Sequence, residues 1–197
     1  MVEQQLRDRG IRDEAVLRAM AKVRRELFLQ EGLRGSSYVD GPLPIGCGQT
    51  ISQPYIVAYM TEQLELVGGE SVLEIGTGSG YQAAVLAEIA ARVYTVEVIP
   101  ELGASARELL AGRLGYRNVF FKVGRGQEGW PEFAPFDRIM LTAAPAEFPM
   151  GLFAQLAEGG LAIAPVGGGE QRLVRYRKKD GEIRSQELFG VIFVPLV

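Results

Sequence analysis

The sequence predicts an α/β fold built on a doubly wound, mostly parallel sheet of about seven strands with an antiparallel hairpin at its C-terminal edge. Short apolar runs alternate with helical stretches from residue 72 onward, which is the pattern of strand–helix–strand units. These runs are almost continuously apolar, as parallel strands buried on both faces are. Near the C-terminus, Asp180-Gly181 separates two strand-like runs, and this pair favours a tight hairpin turn.

The first third of the chain predicts a helical cap followed by a long loop. Residues 2–30 place apolar side chains at roughly helical spacing among charges, with a turn at Arg9-Gly10. From residue 36 to 54 this periodicity stops, and glycines and prolines interrupt the chain. Loops of this length in compact domains are often functional. A helix over 56–66 follows, and Gly68-Gly69 is expected to end it.

Strands and helices then alternate to the C-terminus. Gly103 and Gly112 weaken the second crossover helix, and Glu158-Gly159-Gly160 is interpreted as a helix C-cap that leads into the fifth strand. Strands are predicted at 72–75, 93–96, 119–123, 139–142, 161–166, 171–177 and 187–194, and helices at 81–90, 101–113 and 149–157.

Composition favours one soluble domain without a nucleic-acid partner. A chain of 197 residues is long enough for one sizeable core, and we expect a cap and loop over 1–55 and an α/β core over 56–197. The net charge of −3 offers no electrostatic basis for binding nucleic acid. No apolar run approaches the ~20 residues needed to span a bilayer, so no membrane partner is expected.

The single cysteine and the absence of histidine limit the catalytic and metal-binding chemistry available to the chain. A single cysteine, Cys47, cannot form an internal disulfide, and the N-terminus is acidic and polar, which predicts a cytoplasmic protein. The chain has no histidine. This excludes histidine-based nucleophilic catalysis and most zinc sites, and no metal site is predicted.

A glycine-rich turn at Gly76, Gly78 and Gly80 joins an apolar strand to a helix and predicts a nucleotide-type pocket. A dinucleotide would bring a pyrophosphate, which Glu74 at the strand end would repel. S-adenosylmethionine (AdoMet) brings an ammonium and a sulfonium, two positive charges that the Glu74 carboxylate would attract. Glu97, at the end of the next apolar run, suits the ribose hydroxyls of either ligand. A glycine turn without any ligand remains the third reading.

Ligands of open α/β sheets bind outside the carboxyl ends of the strands, where the strand order reverses. Four strand ends are therefore expected to line one crevice: 74–80, 97–98, 124–126 and 142–145.

Four segments are specific enough to indicate a family: Gly-Cys-Gly-Gln-Thr-Ile-Ser-Gln-Pro-Tyr at 46–55, Val-Leu-Glu-Ile-Gly-Thr-Gly-Ser-Gly-Tyr at 72–81, Pro-Val-Gly at 165–167, and Phe-Val-Pro-Leu-Val at 193–197. They resemble bacterial protein-L-isoaspartate O-methyltransferases over nearly the whole chain. The resemblance implies a Rossmann-like class I AdoMet-dependent methyltransferase fold. It also implies methylation of the free α-carboxyl of L-isoaspartyl residues in damaged proteins, which starts their repair through a succinimide.

The resemblance further implies roles for individual residues. Ser52 corresponds to the residue assigned to catalysis, and residues 194–196 to the segment that contacts the substrate backbone. The implied substrate-binding residues are Gln49, Thr50, Ile51, Val194 and Leu196. The implied residues for AdoMet, and for its product S-adenosyl-L-homocysteine, are Glu74, Gly76, Thr77, Gly78, Gly80, Glu97, Val98, Gly124, Arg125, Gly126 and Thr142.

This chemistry suits a chain without histidine. The α-carboxylate of an isoaspartyl residue is already ionised at neutral pH, so it is itself the nucleophile and needs no base. Methyl transfer then depends on in-line placement of the reacting atoms and on a dry pocket in which opposite charges neutralise. The loop over 36–54 is a candidate lid.

Arg125 departs from the family pattern, which has an acidic residue between the two glycines. A guanidinium has five donors and no acceptor, so it cannot accept from the adenine amino group; it either stacks on the adenine or turns outward. We therefore predict AdoMet binding weaker by about 1–3 kcal/mol than with aspartate at this position. Cys47 stands where an aromatic residue is common.

Two other functions remain open at this stage. One is a class I methyltransferase that acts on another carboxylate or on a small molecule, and the other is a non-catalytic protein whose AdoMet site is weakened by Arg125. Since the substrate is a flexible segment of another protein, a monomer with an open crevice is expected.

Overall fold

The computed structural model describes residues 1–197 and contains a sheet of seven strands: β3 Ser71–Ile75, β4 Arg92–Glu97, β5 Val119–Val123, β6 Phe136–Leu141, β7 Leu156–Val166, β8 Gln171–Lys179 and β9 Glu182–Val191. Their spatial order is β5-β4-β3-β6-β7-β8-β9. Neighbouring strands from β5 to β7 are parallel, and β8 is antiparallel to both β7 and β9. The predicted fold class is confirmed, including the antiparallel edge.

The chain builds this sheet in two directions from β3. It first runs outward through β4 and β5, then crosses to the other side of β3 and continues through β6 and β7. The strand order therefore reverses between β3 and β6, which is the place where open α/β sheets bind ligands. The helices are α1 Glu14–Lys22, α2 Pro54–Gln63, α3 Tyr81–Ala87, α4 Pro100–Arg107 and α5 Met150–Ala154.

The N-terminal cap is more broken than its periodicity predicts. A π-helical segment over Val2–Leu6 passes into a 3-10 turn that ends at Gly10, whose φ of 98° lies in the left-handed region. α1 follows, and after it a 3-10 turn over Arg25–Phe28. Leu6, Val16, Met20 and Phe28 are buried along these segments, whereas the turn over Arg7–Arg9 buries no residue.

The predicted loop over 36–54 contains a small hairpin. Strands β1 Leu43–Gly46 and β2 Gln49–Ile51 pair antiparallel around Cys47, which has a φ of 52° between two glycines of positive φ. Strands of this length are too short to show a period in the sequence, which explains why the hairpin was not predicted.

The predicted helix C-cap at Glu158-Gly159-Gly160 is wrong. α5 ends at Ala154, and these three residues lie within β7. Gly159 has a φ of 78°, and the pairing of β6 with β7 changes register next to it, so the glycines form a bulge. Similarly, α2 ends at Gln63, before the two glycines expected to end it.

The other helix ends and the last strand also differ from the sequence prediction. The second crossover helix divides into α4 and a π-helical turn over Glu108–Arg113. β9 ends at Val191, and the residues after it turn back toward β6. There, Ala144 N donates to Val194 O at 2.8 Å, and Leu196 N donates to Ala144 O at 2.9 Å.

The cap and one face of the sheet share a single hydrophobic core. A cluster of 30 buried residues joins Leu6, Ile11 and Val16 of the cap to Val72 and Ile163 of the sheet. A second cluster of 13 buried residues covers the opposite face. None of the helices combines the length and the apolar character that crossing a membrane requires.

The N-terminus of α1 generates a test of the cap. Asp13 accepts hydrogen bonds from Ala15 N at 2.7 Å and Val16 N at 3.2 Å, which satisfies two amides that the helix itself leaves free. Asp13→Ala is expected to lower the free energy of unfolding by about 1 kcal/mol, measured by urea denaturation. Asp8→Ala, an exposed aspartate nearby, is the control and should change stability much less. Equal effects would contradict the capping role.

Candidate active site

A crevice lies at the carboxyl ends of β3, β4 and β6, where the strand order reverses. Its walls are the glycine turn after β3, the end of β4, the loop after β6, the residues around β2 and the last four residues of the chain. Its empty volume is about 780 Å³ with its open mouth included. The crevice therefore joins the segments that the sequence singled out separately.

The glycine turn allows β3 and β6 to approach closely. Gly76 has a φ of 100°, and a Cβ built on it would lie 2.4 Å from Thr142 Oγ1. The Thr142 hydroxyl donates to the carbonyl of Gly76 at 2.6 Å and lies 3.0 Å from that of Ile75. Any side chain at Gly76 would separate the two strand ends, so glycine is required for both conformation and space.

Glu97 is held in place at the end of β4 by backbone amides. Its carboxylate accepts from Gly78 N at 2.8 Å and from Ile99 N at 3.0 Å, and the residue is 5% exposed. Because each carboxylate oxygen has a further lone pair, Glu97 can still accept two hydroxyl groups from the crevice. The glycine turn and the expected ribose acceptor are thus one hydrogen-bonded unit.

Glu74 lies behind the crevice and does not form its wall. It is fully buried, and Thr95 Oγ1 donates to its Oε2 at 2.5 Å. The Thr95 hydroxyl lies 2.6 Å from that of Thr77, which does line the crevice. Burial raises the pKa of Glu74 to about 8; the Thr95 hydrogen bond opposes this, and the charge of Glu97 adds to it. The carboxyl is therefore mostly protonated at neutral pH.

This finding corrects the charge argument made from the sequence. A neutral, buried Glu74 neither repels a pyrophosphate nor attracts a cation directly. A chain of hydrogen bonds through the hydroxyls of Thr95 and Thr77 connects Glu74 to the crevice.

Only one of the three predicted residues in the loop after β5 lines the crevice. Gly126 is buried and lines the crevice, and a Cβ on it would lie 2.3 Å from Ile75 Cγ2. Gly124 N donates to Glu97 O at 2.9 Å, outside the wall. Arg125 is exposed and does not line the crevice. Of the two orientations left open for this side chain, the structure has the outward one.

A further part of the crevice wall is formed by β2 and the C-terminal residues. Ser52 directly follows β2, and its carbonyl accepts from Arg25 Nη2 at 2.9 Å. The pairing of Ala144 with the last residues brings Val194 and Leu196 to the same wall. The predicted residues that line the crevice are Gln49, Thr50, Ile51, Ser52, Gly76, Thr77, Gly78, Glu97, Val98, Gly126, Thr142, Val194 and Leu196; Glu74, Gly80, Gly124 and Arg125 do not.

Some lining residues were not predicted. Tyr81 and Gln82 open α3 and line the crevice although they are buried, and their position directly after the glycine turn was an available signal. Ile99 adjoins the predicted strand end at 97–98 and was accessible by the same reasoning, and Ala143 lies within the segment 142–145 that was expected to line the crevice. Arg25 does not line the crevice but binds the carbonyl of Ser52, and no signal in the sequence indicated this contact because Arg25 lies within the predicted helical cap.

Comparison with known proteins follows this geometry. The family model described as protein-L-isoaspartate(D-aspartate) O-methyltransferase matches residues 1–197. The chain belongs to this family. It is 53% identical over 196 residues to the protein-L-isoaspartate O-methyltransferase of Picosynechococcus sp., covering 100% of this chain and 88% of that protein. Its identity to the Methanoculleus marisnigri protein of the same name is 54% over 198 residues, covering 100% and 90%.

Solved structures of protein-L-isoaspartate O-methyltransferases have the same fold. One aligns with a TM-score of 0.90 at 32% identity, covering 99% of this chain and 65% of that longer chain. Another, from Plasmodium falciparum and solved in complex with S-adenosyl-L-homocysteine, aligns with a TM-score of 0.85 at 27% identity and covers 100% and 96%. The expected family and its Rossmann-like methyltransferase fold are confirmed.

Glu74 generates a prediction about pH and stability. Its pKa is raised from 4.5 to about 8 on folding, so between these values the folded state keeps a proton that the unfolded state has released. Stability should therefore fall as the pH rises through this window, by up to about 1.4 kcal/mol per pH unit. The chain has no histidine, so no imidazole titrates in the same range.

Urea denaturation at a series of pH values measures this effect. Glu74→Gln keeps an acceptor for Thr95 and should flatten the slope, whereas the exposed Glu101→Gln should leave it as in wild type. A wild-type stability that does not fall between about pH 5 and 8 would contradict a raised Glu74 pKa.

The position of Arg125 generates a prediction about the cofactor. Because Arg125 is exposed and lies outside the crevice wall, an aspartate in its place is not expected to reach the cofactor, and Arg125→Asp should bind S-adenosyl-L-homocysteine within about twofold of wild type. Calorimetric titration measures the difference, and Arg125→Ala serves as the control for removal of the guanidinium alone. Binding that is tighter by about tenfold or more would contradict this outward position.

Proposed function

We propose that the protein transfers a methyl group from AdoMet to the free α-carboxyl of L-isoaspartyl residues in damaged proteins and peptides, which starts their repair. The observation that carries this proposal is the convergence of the Ser52 segment and the C-terminal Val194–Leu196 segment on the crevice that contains the glycine turn. Family membership supplies the chemistry. A single domain that acts as a monomer in the cytoplasm is part of the same proposal.

The residues present fit AdoMet. Positions Gly76 and Gly126 have no space for a side chain, so bare backbone forms the wall that the ligand meets. Glu97 offers two oriented acceptors for the ribose hydroxyls. Val98 and Ile99 extend the wall beyond it. When bound, AdoMet supplies an electrophilic methyl group on its sulfonium.

The chain's own residues bind and orient the acceptor. The Ser52 hydroxyl is a donor on the crevice wall and would hydrogen-bond the substrate α-carboxylate. Val194 and Leu196 would contact the peptide through their side chains, because Val194 O and Leu196 N are already paired with Ala144. Gln49, Thr50 and Ile51 complete this side and would help to exclude water.

No residue is needed as a general base. The acceptor carboxylate is ionised at neutral pH, and no proton leaves it when the ester bond forms. The reaction therefore does not require a histidine. The principal tasks are orientation of the carboxylate and exclusion of water from charges that neutralise as the bond forms.

Transfer of radiolabelled methyl groups to synthetic peptides tests the proposal. An isoaspartyl peptide should be methylated and the aspartyl peptide of the same sequence should not, because only the former presents the displaced α-carboxyl. Equal labelling of both, or labelling of neither, would contradict the assignment. S-adenosyl-L-homocysteine should also raise the unfolding midpoint, since it binds only the native state.

Ser52 is expected to act on the acceptor. Loss of one hydrogen bond to a charged group costs about 1.5–3 kcal/mol, so Ser52→Ala should lower kcat/KM for the isoaspartyl peptide by roughly 10- to 100-fold. Affinity for S-adenosyl-L-homocysteine should be unchanged. The matched control is Ser36→Ala, an exposed serine before the hairpin, which should behave as wild type.

A further inference from the structure

One charged side chain near the crevice has no counter-ion. Arg25 is 0% exposed, and none of the ion pairs in the structure includes it. A guanidinium remains protonated in a protein, and burying such a charge is costly unless something nearby offsets it. The structure therefore contains a buried positive charge that no acidic side chain neutralises.

The guanidinium of Arg25 instead holds three main-chain carbonyls. Nη1 donates to Ser37 O at 2.5 Å, and Nη2 lies 3.3 Å from Gly41 O and 2.9 Å from Ser52 O. Ser37 and Gly41 precede the β1–β2 hairpin, and Ser52 follows it. A single planar group thus ties together both ends of the hairpin segment, which the flexible ammonium of a lysine does less well.

The same guanidinium lies close to the crevice wall. Its Cζ atom is 5.7 Å from the centre of the Tyr81 ring, and Tyr81 lines the crevice together with Ser52. The face of an aromatic ring stabilises a cation, although less than a carboxylate does. Arg25 Nε has no hydrogen-bond partner and is buried. The charge is therefore fixed behind the acceptor side of the crevice and only partly neutralised.

We propose that Arg25 is a positioning residue for the acceptor: through the Ser52 carbonyl it fixes the Ser52 segment, and its buried charge favours an anionic group at that end of the crevice. This inference rests on the proposed function, in which the acceptor is a carboxylate. Buried charges are screened by salt much less than exposed ones, so a fixed cation selects for an anionic acceptor at physiological ionic strength.

The cofactor end of the crevice is built from other contacts. Glu97 and the glycine turn are held by backbone amides and by Thr142, none of which Arg25 touches. A positioning role for Arg25 therefore predicts separate effects on the two ligands. A purely structural role would weaken both together.

Arg25→Gln and Arg25→Lys test this separation. In Arg25→Gln the charge is lost, and the KM for an isoaspartyl peptide should rise by about tenfold or more, as expected for loss of a hydrogen-bonded charge. The dissociation constant of S-adenosyl-L-homocysteine should stay within about twofold of wild type. Arg25→Lys keeps the charge but not the planar donors. Its KM for the peptide should therefore lie close to that of wild type, while its kcat stays below that of wild type. Arg18→Gln, an exposed arginine on α1, is the matched control and should match wild type.

The remaining outcomes decide against the proposal. Unchanged peptide kinetics in Arg25→Gln, identical kinetics in the Gln and Lys variants, or a parallel loss of peptide and S-adenosyl-L-homocysteine affinity would each overturn it. If Arg25→Gln does not fold, Arg25→Lys decides alone: a change in peptide kinetics with cofactor affinity intact supports positioning, and any other result overturns it. Failure of wild type and Arg18→Gln to methylate the peptide would instead refute the proposed function.

Discussion

The close approach of β3 and β6 at Gly76 and Thr142 is the contact on which the rest of the site depends. The missing Cβ at Gly76 lets the Thr142 hydroxyl reach the carbonyl of Gly76 at 2.6 Å. This contact closes the bottom of the crevice at the point where the strand order reverses. From there, Gly78 N reaches Glu97 on one side, and Ala144 pairs with the C-terminal segment on the other.

Charge in this site is controlled mainly by burial. Glu97 is oriented by backbone amides and faces the crevice, whereas Glu74, two residues before the glycine turn, is buried deeply enough to stay protonated at neutral pH. Arg25 is buried as well but stays charged, with carbonyls and an aromatic ring around it. Glu97 therefore presents hydrogen-bond acceptors to the crevice, and Arg25 keeps a buried positive charge behind Ser52.

The sequence predicted most of the fold because local pattern and tertiary role agree in the parallel strands. Apolar runs such as 72–75 and 93–96 are buried on both faces, so their burial is visible in composition alone. The errors fall where glycines serve two purposes. At 158–160 they form a bulge in β7 and not a helix end, because the preceding helix already stops at Ala154. The β1–β2 hairpin was not predicted because its strands are too short to show the alternation of apolar and polar residues that indicates a strand.

By itself the sequence determined the fold class, the glycine turn, the acidic strand end at Glu97 and, through the Gln49–Pro54 segment, the family. These features are encoded by residues that are close together in the chain. Only the tertiary structure decided which of the candidates reach the crevice. Glu74 and Arg125 are adjacent to the site in sequence but do not line it, while Arg25 of the cap binds the carbonyl of Ser52, which does. Side-chain direction and long-range packing set these outcomes, and neither follows from local pattern.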